Sequence, residues 1–262
     1  MDILAQFINA AGQVESLEEK RFYAEKSLPK FYKGTLAFEP ILLKSNLFGH
    51  GSGARAVSDV FRSVAVYGNT KIEFKGEELR QDDLRVLLAL LRRRAGVRVD
   101  GAIEFLPRAF CREDLGWADS GESVNKLEDA VLRLADARAR VYYEKGMLAM
   151  SFISDARLAK VGGWSIWLSG LLAPIFERNL TFLKARERLG MKDGLGTWLY
   201  GFIKADSCLF EFNLEKMRLA SGSTYVQKEF NRAVSKALAG FEADGIVASF
   251  AVAKGKLKVC KA

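Results

Sequence analysis

The chain has 262 residues, 49% of them hydrophobic and 27% charged, which excludes a disordered polypeptide and requires a buried core in one large domain or two small ones. Its formal net charge of +8 favours an anionic partner such as nucleic acid. No run approaches the roughly 18 to 20 uninterrupted apolar residues of a membrane helix, and the start lacks a basic segment followed by an apolar one, so a soluble cytoplasmic protein with no membrane partner is expected.

In chain order, Ile3 to Lys26 is an amphipathic stretch, followed by "SLPKFYKGTLAFEP" and the glycine-rich "FGHGSGAR". A short helix and a flexible arm are expected over residues 1–60. "VAVYGNTKIEF" then reads as two β-prone runs around Gly68-Asn69-Thr70, a hairpin. In "QDDLRVLLALLRRRAG", Asp82 and Asp83 sit in the first turn, arginines in the last and Gly96 beyond, where the helix dipole and C-cap chemistry favour them. "VRVDGAIEFLP" and a compact "RAFCREDLGW" lead to the break "ADSGES". After it, "VNKLEDAVLRLADA" puts Val124, Leu127, Val131 and Leu134 on one helical face. "RARVYYE" and "MLAMSFIS" flank Lys145-Gly146 as a second hairpin.

A similar order returns after an expected boundary near Asp155 to Gly163. "WSIWL" reads as a strand, and "ERLGMKDGLGTWLYGFIKA" holds a helix packed by Trp198, Leu199, Phe202 and Ile203. "FNLEKMRLA" reads as a short helix, "SGS" as a turn, "TYVQKEFNRAVSKALAGFEADG" as a long helix, and "IVASFAVA" with "LKV" as a hairpin around "KGK". Helix, short helix, turn, helix and hairpin is a winged helix. The expected fold class is therefore α+β, mainly α, with two tandem winged-helix domains at 61–160 and 161–262.

Charge is uneven along this order. From Lys184 onward there are 14 lysines and arginines against 8 acidic residues, whereas residues 1–183 hold 26 against 24. In the last long helix Val226, Phe230, Ala233, Val234, Ala237, Leu238 and Phe241 form an apolar stripe that faces the core. The opposite side carries Thr224, Lys228, Asn231, Arg232 and Ser235, with Tyr225, Gln227 and Lys236 on its flanks. Such side chains suit a DNA groove: cations pair with phosphate or guanine, amides with adenine, hydroxyls with phosphate oxygens. Ser221 and Ser223 stand at its entrance, and Ser223 or Thr224 is expected to cap the helix and leave backbone N–H groups for a phosphate. The hairpin tip Lys254-Gly255-Lys256, with Lys258 and Lys261 behind it, makes a basic wing.

The earlier helix exposes Asn125, Lys126, Asp129, Arg133 and Asp136, and its hairpin carries Arg138 and Arg140. Two acids on that surface oppose phosphates, so this unit is expected to read bases less and to serve homodimerisation or backbone positioning.

Other chemistry is sparse. Cys111, Cys208 and Cys260 lack CxxC spacing and are expected to be small core residues in a reducing compartment. The single histidine, His50, excludes multi-histidine metal sites and reads as a solvated loop residue. "GHGSGAR" lacks the GxxxxGK[ST] phosphate loop and reads as a linker. The acids of "CREDLGWADSGES" sit in one turn, whereas a metal-dependent nuclease needs carboxylates on different elements. No catalytic site, metal or cofactor is expected.

"VYGNTKIEFKGEELRQDDLRVLLALL" (Val66 to Leu91), "TWLYGFIKA" (Thr197 to Ala205) and "LASGSTYVQKEFNRAVSKALAGFEADGIV" (Leu219 to Val247) together resemble plasmid replication initiators of the TrfA and IncQ RepC types. The resemblance covers about three quarters of the chain, from Val64 to the end. It implies a non-enzymatic protein that binds iteron repeats in double-stranded origin DNA, helps open an adjacent AT-rich region and recruits a replicative helicase or its loader. It places the recognition helix on Thr224 to Phe241 and the wing on Lys254 to Lys258. Two winged helices along one face of DNA span about two helical turns, so repeats of roughly 20 base pairs are expected. A transcriptional repressor of the same fold would share every DNA-binding feature. A nucleic-acid enzyme is disfavoured by the poverty of histidine and grouped carboxylates.

Overall fold

The computed structural model describes residue 28 and residues 34–98, 101–143, 146–176, 180–206 and 211–262. The amphipathic stretch Ile3 to Lys26, Lys145 of the second hairpin turn and Cys208 lie outside the described residues. From residue 34 the segment expected to be a flexible arm is built into the core. Strand β1 (Thr35–Phe38) and the short helix α1 (Pro40–Leu43) bury Leu36, Phe38, Leu42 and Leu43. Strand β2 (Phe48–Gly49) precedes a hairpin of β3 (Val57–Val64) and β4 (Ile72–Glu77), joined across Val64 and Ile72. The continuous apolar run Leu36-Ala37-Phe38 and the aromatic Phe48 explain the burial, which the neighbouring glycines and prolines mask in the sequence.

Strand β5 (Leu79–Arg80) pairs in parallel with β2 and runs into α2 (Gln81–Arg94), where Asp82 and Asp83 occupy the first turn and Arg92 to Arg94 the last, as the dipole argument expects. Strand β6 (Ile103–Phe105) is followed by α3 (Pro107–Phe110), which continues as a π-helical turn, Cys111–Leu115, closed by the left-handed Gly116. Helix α4 (Gly121–Asp136) is N-capped by Ser120, whose hydroxyl accepts from the Ser123 N–H, and buries Leu127, Ala130, Val131 and Leu134. Strands β7 (Arg138–Tyr143) and β8 (Gly146–Met150) complete a four-stranded sheet in the order β3-β4-β7-β8.

Strand β9 (Ile153–Arg157) pairs with β10 (Trp164–Leu168), and β10 also pairs with β6, with Trp164 opposite Phe105. The boundary expected between residues 160 and 161 thus falls in a hairpin loop, and "WSIWL" joins the first half of the chain. After α5 (Ala173–Phe176), β11 (Thr181–Lys184) pairs antiparallel with β1 and ties the second half to the first. Helices α6 (Ala185–Gly190) and α7 (Leu195–Lys204), strand β12 (Glu211–Asn213), helices α8 (Leu214–Ala220) and α9 (Gln227–Ala243), and strands β13 (Val247–Ala253) and β14 (Lys256–Lys261) complete the order.

The buried side chains form one continuous cluster through both halves. Polar groups add to it. The Trp198 indole donates to the Ser45 carbonyl at 3.0 Å. The Arg85 guanidinium of α2 reaches Asp193 and the carbonyls of Leu115, Leu189 and Met191, while fully buried Arg188 donates to the Gln81 carbonyl and side chain. Two buried cations are tolerable there because carbonyls and a carboxylate receive their N–H groups.

Candidate nucleic-acid interface

Helix α9 buries Phe230, Val234, Leu238 and Phe241. That stripe turns Lys228, Arg232 and Lys236, spaced by four residues, to the opposite side, where all three are exposed. Glu229 is exposed beside them. Ser235, Gln227 and Asn231 lie half-buried at the helix margin. Gln227 accepts from the Arg218 guanidinium at 2.9 Å and donates to Asn231 at 2.7 Å, so these two amides are held by each other and by α8.

The helix begins three residues later than the sequence suggests. Its N-cap is Val226, with extended backbone and no side-chain cap bond. Neither Ser223 nor Thr224 caps it: the Ser223 hydroxyl accepts from the Tyr225 N–H at 3.2 Å, and that bond bends the chain into a turn. Thr224 and Tyr225 are exposed, and Val226, expected in the core stripe, is 64% exposed. Ser221 is fully buried and donates to the Arg218 carbonyl at 2.8 Å, which removes it from a phosphate-binding role. Gly222 takes φ 68°, which favours glycine, and a Cβ there would crowd the Asn46 Cβ at 3.1 Å.

His50 packs behind this turn. Its backbone N–H donates to the Ser221 carbonyl and its ring centre lies 6.1 Å from that of Tyr225. Burial lowers the imidazole pKa below 6.5, so the solvated-loop expectation is corrected. The glycine-rich "GHGSGAR" is likewise tethered: Arg55 pairs with Asp82 and Asp83 at 2.9 and 2.8 Å. Of the cysteines, Cys111 is buried and Cys260 is exposed on β14, because the outward positions of that strand alternate with buried Leu257 and Val259.

Strands β12, β14 and β13 form the wing sheet in that order. Its tip pairs left-handed Lys254 (φ 49°) with Gly255 (φ 73°) between Ala253 and Lys256, the two-residue turn that matches strand twist. The Gly255 carbonyl accepts from the Leu214 N–H at 3.0 Å, tying the tip to the start of α8. Lys254, Lys256 and Lys258 are exposed. Glu211 of β12 lies 2.7 Å from the Lys256 ammonium and 3.8 Å from that of Lys258, and the hydrogen bond from Lys256 holds its carboxyl below the usual range.

In the first half the expected contacts separate. Arg133 donates to Asp83, itself fully buried, at 2.9 Å and also faces Glu77. Lys126 lies 3.8 Å from both Asp82 and Asp193 and over the Trp117 ring. The Arg133 charge is met inside the protein, and Lys126, its side chain 43% exposed, leans toward the same acidic cluster. The outward face of α4 is left with Glu122, Asn125, Glu128, Asp129, Leu132 and Asp136, a surface that repels phosphate. Arg138 is exposed on β7, and Arg140 stacks over Phe61 at 3.7 Å while facing Glu73. Lys75 lies opposite Arg138 in the ladder, a partner legible in the period-two alternation of "KIEFK" once the pairing is known.

Among the described residues no group of three or more His, Cys, Asp or Glu is placed to hold a metal ion, and no helix is long and apolar enough to cross a membrane. Helix α7, short α8, longer α9 and a three-stranded wing sheet define the winged-helix class. No protein-family model and no curated protein matches the sequence. Among solved structures, one of domains 2 and 3 of RctB matches with a TM-score of 0.59 at 12% identity, covering 86% of this chain and 99% of that one. A second structure of these domains, RctB-155-483, matches with a TM-score of 0.55 at 14% identity, covering 85% and 97%. The chain shares the fold of RctB domains 2 and 3.

Proposed function

We propose that this protein is a non-enzymatic replication initiator that binds iteron repeats of a plasmid origin, helps open the adjacent AT-rich region and recruits the replicative helicase or its loader. The observation that carries the reading is the row Lys228, Arg232 and Lys236 on the outer face of α9 beside the lysines of the wing. Support comes from the winged-helix fold shared with domains 2 and 3 of RctB and from the resemblance to replication initiators of the TrfA and RepC types. On this reading α9 lies in the major groove, the wing follows the phosphate backbone, and the helix–helix–hairpin series of the first half acts as a second winged helix.

The acidic face of α4 keeps that helix out of a groove. The first half instead offers Lys75, Arg138 and Arg140 to the backbone, and its edge strand β3 leaves Val57 and Val60 each 63% exposed for homodimerisation. The test has two readouts. Binding of repeats neighbouring the gene and of random duplex is measured at physiological salt, and the protein is supplied in trans to a plasmid carrying only those repeats and the AT-rich segment. The reading expects a preference of about a thousandfold or more and plasmid maintenance. Equal binding to random duplex overturns DNA recognition. Specific binding without maintenance identifies a repressor and overturns initiation.

A further inference from the structure

The turn before α9 carries an exposed apolar pair that the phosphate-and-amide reading leaves without a role. Val226 is 64% exposed and Tyr225 is 45% exposed. Valine is among the poorest N-cap residues, since it offers no oxygen to the orphan N–H groups, and serine or threonine is strongly preferred in its place. Ser223 and Thr224 stand three and two residues earlier and do not cap. Position 226 therefore holds a residue that neither caps the helix nor fills the core.

The backbone that displays it is fixed from several sides. Arg218 donates to the Tyr225 carbonyl and to the Gln227 side chain, Ser223 receives the Tyr225 N–H, and Val226 itself accepts the first helical bond from the Phe230 N–H at 3.0 Å. A rigid, exposed valine at the leading end of a helix whose outer face is cationic has one apolar counterpart in a major groove, the thymine C5-methyl group. The leading end of a recognition helix is the part that meets base edges.

We propose that Val226, flanked by Tyr225, reads a thymine methyl group and makes that thymine a specificity determinant of the bound sequence. This inference rests on the DNA-binding reading above. The test is a double-mutant cycle between protein and base. A duplex is selected from a random-sequence library by the wild-type chain, and each thymine in turn is replaced by deoxyuridine, which removes only the methyl group. Binding of the wild-type protein and of Val226→Ala is measured on every duplex, with thermal melting confirming that the variant folds.

At one or two positions the wild-type chain should lose roughly three- to tenfold in affinity, the factor one buried methyl group supplies, and Val226→Ala should be indifferent there. If Val226→Ala keeps the same sensitivity at every position, or if the wild-type chain is indifferent at all of them, the inference falls while DNA recognition stands. If no duplex is enriched over random sequence, the DNA-binding reading falls and the inference with it.

Discussion

Arg133 and Arg232 carry the same guanidinium to opposite ends. Arg133 is held against buried Asp83 with its side chain 12% exposed, whereas Arg232 stands in solvent on α9. Replacing Arg133 by alanine leaves a buried carboxylate one partner short and should cost about 2 kcal/mol, read as a lower melting temperature, with DNA affinity unchanged once folded protein is counted. Arg232→Ala should leave the melting temperature alone and weaken the preferred duplex by about tenfold or more, measured by fluorescence anisotropy. Both arginines look alike in sequence. Arg133 finds Asp83 across fifty residues, and no local spacing encodes such a pairing. His50 adds a pH effect through the same kind of unseen burial. Its folded pKa lies below the unfolded 6.5, so the unfolded chain takes up the proton more readily, and stability falls as pH drops from 6.5 through the lower folded value. Melting at pH 7.5 and 5.5 should show a larger loss for the wild-type chain than for His50→Gln.

Among the elements, the wing was legible because period-two alternation and a Lys-Gly-Lys tip specify a hairpin wherever it packs. The start of α9 was not. Capping preference favours Ser223 or Thr224, but the hydroxyl of Ser223 is diverted to the Tyr225 N–H and Arg218 grips the following carbonyl, contacts that depend on where α8 lies. The wing also lets charge and conformation be separated. Lys254 occupies the left-handed region, which asparagine tolerates better than lysine. Lys254→Asn should therefore keep or raise the melting temperature while weakening binding to all duplexes and lowering the slope of log affinity against log salt by about one. Glu211 acts in the other direction: it sits between Lys256 and Lys258 and opposes phosphate. Glu211→Gln should raise affinity for specific and random DNA alike by about two- to threefold at low salt and steepen the salt slope.

For the whole molecule, the succession of helix, short helix, helix and hairpin could be read twice from periodicity, and both successions are present. The separation between them could not. Strand β1 pairs with β11, β10 joins the sheet of β6, and Arg85 and Arg188 bridge α2 to the segment before α7. These long-range links make one core from segments that look independent in sequence. They also fix which surface faces outward: in the first half Lys126 and Arg133 of α4 lean toward Asp82, Asp83 and Asp193, leaving the outer face of α4 acidic, and in the second the cations remain on α9 and the wing. Of the two long third helices, only α9 is proposed to read sequence. The most direct measurement is the ratio of affinities for the selected duplex and for random duplex at physiological salt, in Asn231→Ala/Arg232→Ala and in Asn125→Ala. The ratio should collapse toward one in the α9 variant and stay unchanged in the α4 variant. A ratio preserved in the first, or lost in the second, would contradict that proposal.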